Sequence, residues 1–167
     1  GAYSNHLYAL AAAGKAFGFE TIGVVRGEIV EPLNPILAFA AAQGMQLVPM
    51  SREEYRRKES PEVISQLLAQ YGDVEIIPEG GSNLLAVEGC AEIVRFLDWS
   101  VFDEARDSAG AEPPARVVVL SCGTATTLAG VVHGLQSSEE ANRQTPQVCG
   151  VAALRAEGYL RSEAAKW

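Results

Sequence analysis

The sequence predicts an α/β fold built of open parallel sheets with flanking helices. Three observations predict it. Helix-like segments alternate with short apolar runs, Gly or Pro marks most of the boundaries between them, and 167 residues at 48% apolar suffice for one good core or two small ones. Strands separated by helices imply right-handed crossovers and parallel pairing.

The elements follow in order. Residues 5–17 are rich in Leu and Ala with Gly18 just beyond, which reads as a helix with a glycine stop. Residues 21–25 are short and β-branched, end near Gly27, and read as a buried strand. Asn34-Pro35 supplies an N-cap and a proline at the first helical position, so a helix runs over 36–43 and stops at Gly44. Residues 45–50 form the next strand. Ser51 with Glu54 three positions on matches a capping box, and Ser60-Pro61 starts another helix reaching about Tyr71. Residues 74–77 are expected as a third strand. After Pro78, the glycine-rich stretch at 79–83 opens a helix over 84–99, and the small, polar residues 98–114 form a surface connection. A strongly apolar strand at 117–120 leads through a loop into a helix ending near Gln136. A last strand at 147–154 and a helical segment at 158–166 complete the set. No internal repeat is visible. The glycines near 78–83 mark a change of domain, giving residues 1–78 and 79–167.

Composition narrows the function. Lys and Arg total 13 against 21 Asp and Glu, a net charge of −8 with no basic face, which argues against nucleic acid as a partner. No apolar run approaches the roughly 18 residues of a membrane span, and the first residues are not a signal segment. Cys90, Cys122 and Cys149 are odd in number and widely spaced, which argues against a disulfide framework or a metal site and for a reducing, cytoplasmic setting.

Three constellations can carry chemistry. Gly1-Ala2-Tyr3-Ser4-Asn5-His6 lies at a helix start, where Ser4, Asn5 and free N–H groups either hold an anion or simply cap the helix. Ser121 to Gly130 follows a strand. Gly123 permits a tight turn, and Thr124, Thr126 and Thr127 add hydroxyls to the N–H groups of a helix start, which suits a phosphate dianion; a small-residue turn is the plain alternative. It is neither a Walker A loop nor a dinucleotide fingerprint, which removes a nucleotide triphosphatase. In the third, 76–83, Gly80 and Gly81 let backbone approach a flat ligand, or act as a hinge. Cys122 reads as a core cysteine rather than an activated thiol, His133 as a solvated helix residue, and Arg52, Arg56, Arg57 and Lys58 as a solvated face.

In this order and with these flanks, the three constellations resemble the fold type II pyridoxal-phosphate enzymes that include 1-aminocyclopropane-1-carboxylate deaminase and D-cysteine desulfhydrase. The resemblance covers essentially the whole chain. It implies an incomplete tryptophan-synthase-β-like fold, with a small domain followed by part of a large cofactor-binding domain. It also implies pyridoxal 5'-phosphate as cofactor, a small amino acid as substrate, and a homodimer. By the resemblance, Asn5 meets the cofactor's ring hydroxyl oxygen, and Ser4 with the groups near His6 meets the substrate carboxylate or its α-proton. Gly123, Thr124, Thr126 and Thr127 cradle the phosphate, and Gly80 and Gly81 line the ring.

The departures matter too. The chemistry needs a lysine for the Schiff base, which in the family precedes the Ser-Asn segment; Lys15, Lys58 and Lys166 are not so placed. The family's ligand to the pyridine nitrogen is likewise expected beyond Trp167, and Ala125 stands where glycine is common. The expectation is an internal fragment of a deaminase or lyase, inactive and prone to aggregate by itself. The alternatives are a non-catalytic α/β ligand-binding or interaction module and, less well supported, a phosphosugar-binding domain.

Overall fold

In the computed structural model, residues 1–100, 116–138, 146–153 and 158–167 are described. The chain divides into two compact units, Gly1–Ile76 and Ile77–Trp167. Each holds one two-stranded parallel sheet with helices packed on it, so the α/β class with parallel sheets and flanking helices is the fold observed.

In the first unit, helix α1 (Asn5–Phe17) buries Leu7, Ala11 and Gly14, the i, i+4, i+7 stripe of an amphipathic helix. Ser4 caps its start, and Gly18 closes it in a left-handed conformation, its N–H bonded 2.9 Å from the Gly14 carbonyl. Strand β1 (Ile22–Arg26) pairs in parallel with β2 (Gln46–Met50), Val25 opposite Pro49. A proline gives no ladder hydrogen bond, which suits a strand at a sheet edge. Between the strands, α2 (Pro35–Ala42) starts at Asn34, whose side-chain oxygen accepts from the N–H groups of Ile36 and Leu37. The core is Leu7, Ala11, Val25, Leu37, Ala40 and Met45. Ser51 and Ser60 cap α3 (Arg52–Arg56) and α4 (Pro61–Tyr71) by accepting from the N–H groups of Glu54 and Val63.

The expected strand at 74–77 is not one. These residues bond to neither β1 nor β2 and carry no strand assignment, although Val74 and Ile76 turn half inward. An alternating apolar pattern describes one face of an extended segment, whereas a strand also needs a partner's N–H and C=O groups beside it.

In the second unit, a short 3-10 turn (Glu79–Gly81) precedes α5 (Leu84–Ala91), capped by Asn83, which accepts from Ala86 at 2.8 Å. The helix expected over 84–99 is α-helical only to Ala91 and tightens to a 3-10 helix over Glu92–Phe96. Strand β3 (Val117–Cys122) leads into α6 (Thr126–Ser137), and β4 (Gln147–Ala152) pairs with β3 in parallel, Val118 opposite Val148. A final helix, α7, covers Tyr159–Ala164. Most of the surface connection expected over 98–114, and the end of the strand expected over 147–154, lie outside the described residues.

Val94, Val131 and Leu135 form the core, flanked by Trp99, Val118, Leu120 and Val148. Full burial of Val131 and Leu135 stabilises the unit by about 2 kcal/mol each. Helix α6 crosses the α5 side at Gly130 and Gly134. A Cβ at Gly130 would lie 2.6 Å from the Val87 carbonyl oxygen, and one at Gly134 would lie 2.9 Å from Val94 Cγ2. Two glycines four apart therefore let the backbones touch, and that contact fixes where the start of α6 lies.

Candidate functional site

The second unit brings two of the sequence-predicted loops together. Gly80 and Gly81 both have positive φ, 72° and 71°, which only glycine adopts without strain. A Cβ at Gly80 would lie 2.7 Å from Cγ2 and 3.2 Å from Oγ1 of Thr124, so the glycine loop rests directly on the threonine loop. Ser82 Oγ lies 2.5 Å from Thr126 Oγ1, which in turn lies 3.3 Å from Thr124 Oγ1. Thr126 is buried and its hydroxyl is the middle member of this row. Thr127 is exposed and accepts from the Cys90 thiol at 3.8 Å.

The start of α6 differs from those of α1 to α5, each of which begins with a Ser or Asn side chain accepting a first-turn N–H. Ala125 occupies the N-cap position of α6, in the left-handed region at φ 61°, and no side chain caps the helix. First-turn N–H groups carry partial positive charge and need an acceptor. An alanine at this φ is strained, whereas glycine adopts the conformation freely. Gly123 is open, and a Cβ placed there would meet nothing within 4 Å, so a ligand can reach the backbone at this point.

In the first unit, Ser4 is the N-cap of α1, accepting the Leu7 N–H at 3.4 Å. Its hydroxyl hydrogen remains a donor. Asn5 is exposed at the first helical position, and His6 is half-buried. Burial pushes the His6 imidazole below its ordinary value of 6.5, favouring the neutral ring.

Burial, and after it the charge of Cys149, pushes the Cys122 thiol upward, away from thiolate. This fits a core cysteine rather than a nucleophile. The three lysines belong to other segments of the chain. Lys15 sits in the last turn of α1, Lys58 pairs with Glu59 at 3.6 Å and lies over the Tyr55 ring, and Lys166 pairs with Glu163 at 2.6 Å.

Ser82 lies within the 76–83 constellation, but the sequence assigns it no role. A serine between Gly-Gly and an Asn N-cap says nothing of a contact 44 positions away. The Gly130 and Gly134 pair is equally quiet, though its four-residue spacing on a helix is the clue that could have found it.

The sequence matches no protein-family model and none of the curated proteins. Among solved structures, the fold is similar to that of a hydrogen sulfide-producing enzyme (Fn1055), determined with an α-aminoacrylate intermediate. The TM-score is 0.60 at 16% identity, over 95% of this chain and 44% of that one. The chain thus spans less than half the length of that enzyme, and the two share a fold.

Proposed function

We propose that the chain is part of a pyridoxal-phosphate-dependent deaminase or lyase acting on a small amino acid, of the 1-aminocyclopropane-1-carboxylate deaminase or D-cysteine desulfhydrase type. One observation carries the reading: the Gly80-Gly81 loop packs on Thr124, beside a helix start that has hydroxyls but no side-chain cap. The likeness to a hydrogen sulfide-producing enzyme supports it.

The residues fit a phosphate. Backbone N–H groups from Gly123 onward and the hydroxyls of Thr124, Thr126 and Thr127 supply donors, and the helix start supplies favourable partial charge. Gly80 and Gly81 present backbone without side chains to a flat ring. When bound, pyridoxal phosphate supplies an electron sink for charge developed at the substrate α-carbon. By the resemblance, Asn5 would meet the ring hydroxyl oxygen. Ser4 Oγ, still a donor after accepting the Leu7 N–H, would with the groups near His6 meet the substrate carboxylate or its α-proton. The required lysine lies outside these residues. The first unit serves as the small domain and the second as part of the cofactor-binding domain, in a cytoplasmic homodimer. Among the described residues no helix is long and apolar enough to cross a membrane.

The positions of the three lysines favour a second reading, a non-catalytic ligand-binding module. The protein extended upstream and downstream distinguishes the two. Release of ammonia and a 2-oxo acid, with or without sulfide, from a small amino acid is expected of the enzyme. Binding of pyridoxal phosphate without turnover, by a protein whose extension includes a lysine ahead of Ser4, overturns it in favour of the module.

A further inference from the structure

We infer that Ser82 is a positioning residue that sets the direction in which the threonine loop donates hydrogen bonds, an inference that rests on the phosphate-holding role proposed for that loop. Ser82, Thr126 and Thr124 form a row of three hydroxyls with oxygen separations of 2.5 Å and 3.3 Å. Each hydroxyl has one hydrogen to give and lone pairs to accept with. The two links in the row use two of the three hydrogens, so the third belongs to Thr124, to Ser82 or, where both neighbours donate to Thr126, to Thr126 itself.

If Ser82 donates to Thr126 and Thr126 to Thr124, the Thr124 hydrogen is free to point outward. In either other arrangement Thr124 donates to Thr126, which turns the Thr124 lone pairs outward and repels an anion. An anion on the loop therefore selects the first order, and hydrogen bonds in such a row strengthen one another. Thr126 is only 4% exposed, so water does not readily replace Ser82 as its partner.

Ser82 is itself held firmly. Gly81 N–H bonds to the Pro78 carbonyl at 2.9 Å on one side, and on the other Asn83 caps α5. The contact also ties the glycine loop to the threonine loop, so phosphate affinity depends on a residue that need not touch phosphate.

The test measures binding of inorganic phosphate, pyridoxal phosphate and phosphate-free pyridoxal to the protein extended upstream and downstream and to its variants, by calorimetry. Ser82→Ala is expected to weaken both phosphate ligands by about fivefold, the equivalent of one neutral hydrogen bond, with pyridoxal unchanged. Ser82→Thr, which keeps the hydroxyl, is expected to bind like the parent. Ser82→Cys, a weak donor of similar size, is expected to resemble the alanine variant and serves if that variant does not fold. Parent-like phosphate binding by Ser82→Ala or Ser82→Cys overturns the inference, and so does an equal loss for pyridoxal, which marks a structural role. An extended parent protein that binds neither phosphate ligand overturns the functional reading and the inference with it.

Discussion

Gly80 shows most sharply what one residue contributes. Its φ of 72° strains any side chain, and the 2.7 Å approach to Thr124 leaves no room for one. Gly80→Ala is expected to cost about 1–2 kcal/mol from the left-handed conformation alone, and more because Thr124 must move. Urea unfolding measures the loss, and phosphate titration is expected to show weakened binding beside it. His6 gives a pH dependence. Its folded pKa lies below the ordinary 6.5, so just below pH 6.5 the unfolded chain binds more protons than the folded one. The stability from neutral His6 is present above that pH and falls away as pH drops through the folded pKa. A His6→Gln variant is expected to lose this part of the slope in unfolding measured from pH 7 downward. At this scale the sequence is partly legible. The glycines and threonines announce a ligand loop because their chemistry is local, while Ser82 gains its meaning only from a contact between distant loops.

Helix packing positions the loop. The start of α6 is held against the α5 side through Gly130 and Gly134, where any Cβ meets backbone. Gly134→Val is expected to destabilise the second unit by about 1–3 kcal/mol through overpacking. The midpoint of urea denaturation falls accordingly; an unchanged midpoint contradicts the close crossing. Most elements are readable from their ends, since Ser4, Asn34, Ser51, Ser60 and Asn83 all cap the helices they precede. Caps work within one turn, so sequence carries them directly. The segment at 74–77 and the 3-10 continuation of α5 escape such reading because pairing and packing, not propensity, decide them.

Across the whole molecule, each unit has its own core, and the second presents an incompletely covered sheet. On β3, Val117 and Val119 are 43% and 62% exposed, and Val151 on β4 is 53% exposed, whereas parallel sheets ordinarily bury both faces. The chain is therefore expected to self-associate as concentration rises, and Val119→Lys to raise the monomer fraction in sedimentation. If Val119→Lys leaves association unchanged, another surface drives it. The α/β class is legible at this scale because it follows from alternation along the chain. The fold likeness to a hydrogen sulfide-producing enzyme agrees with it. That the second unit holds a phosphate is tested most directly by amide NMR of the protein extended upstream and downstream, titrated with pyridoxal phosphate at low concentration. Shifts are expected to concentrate at Gly123 to Thr127 and at Gly80 to Ser82. Saturable binding whose shifts fall elsewhere, or no shifts at all, contradicts it.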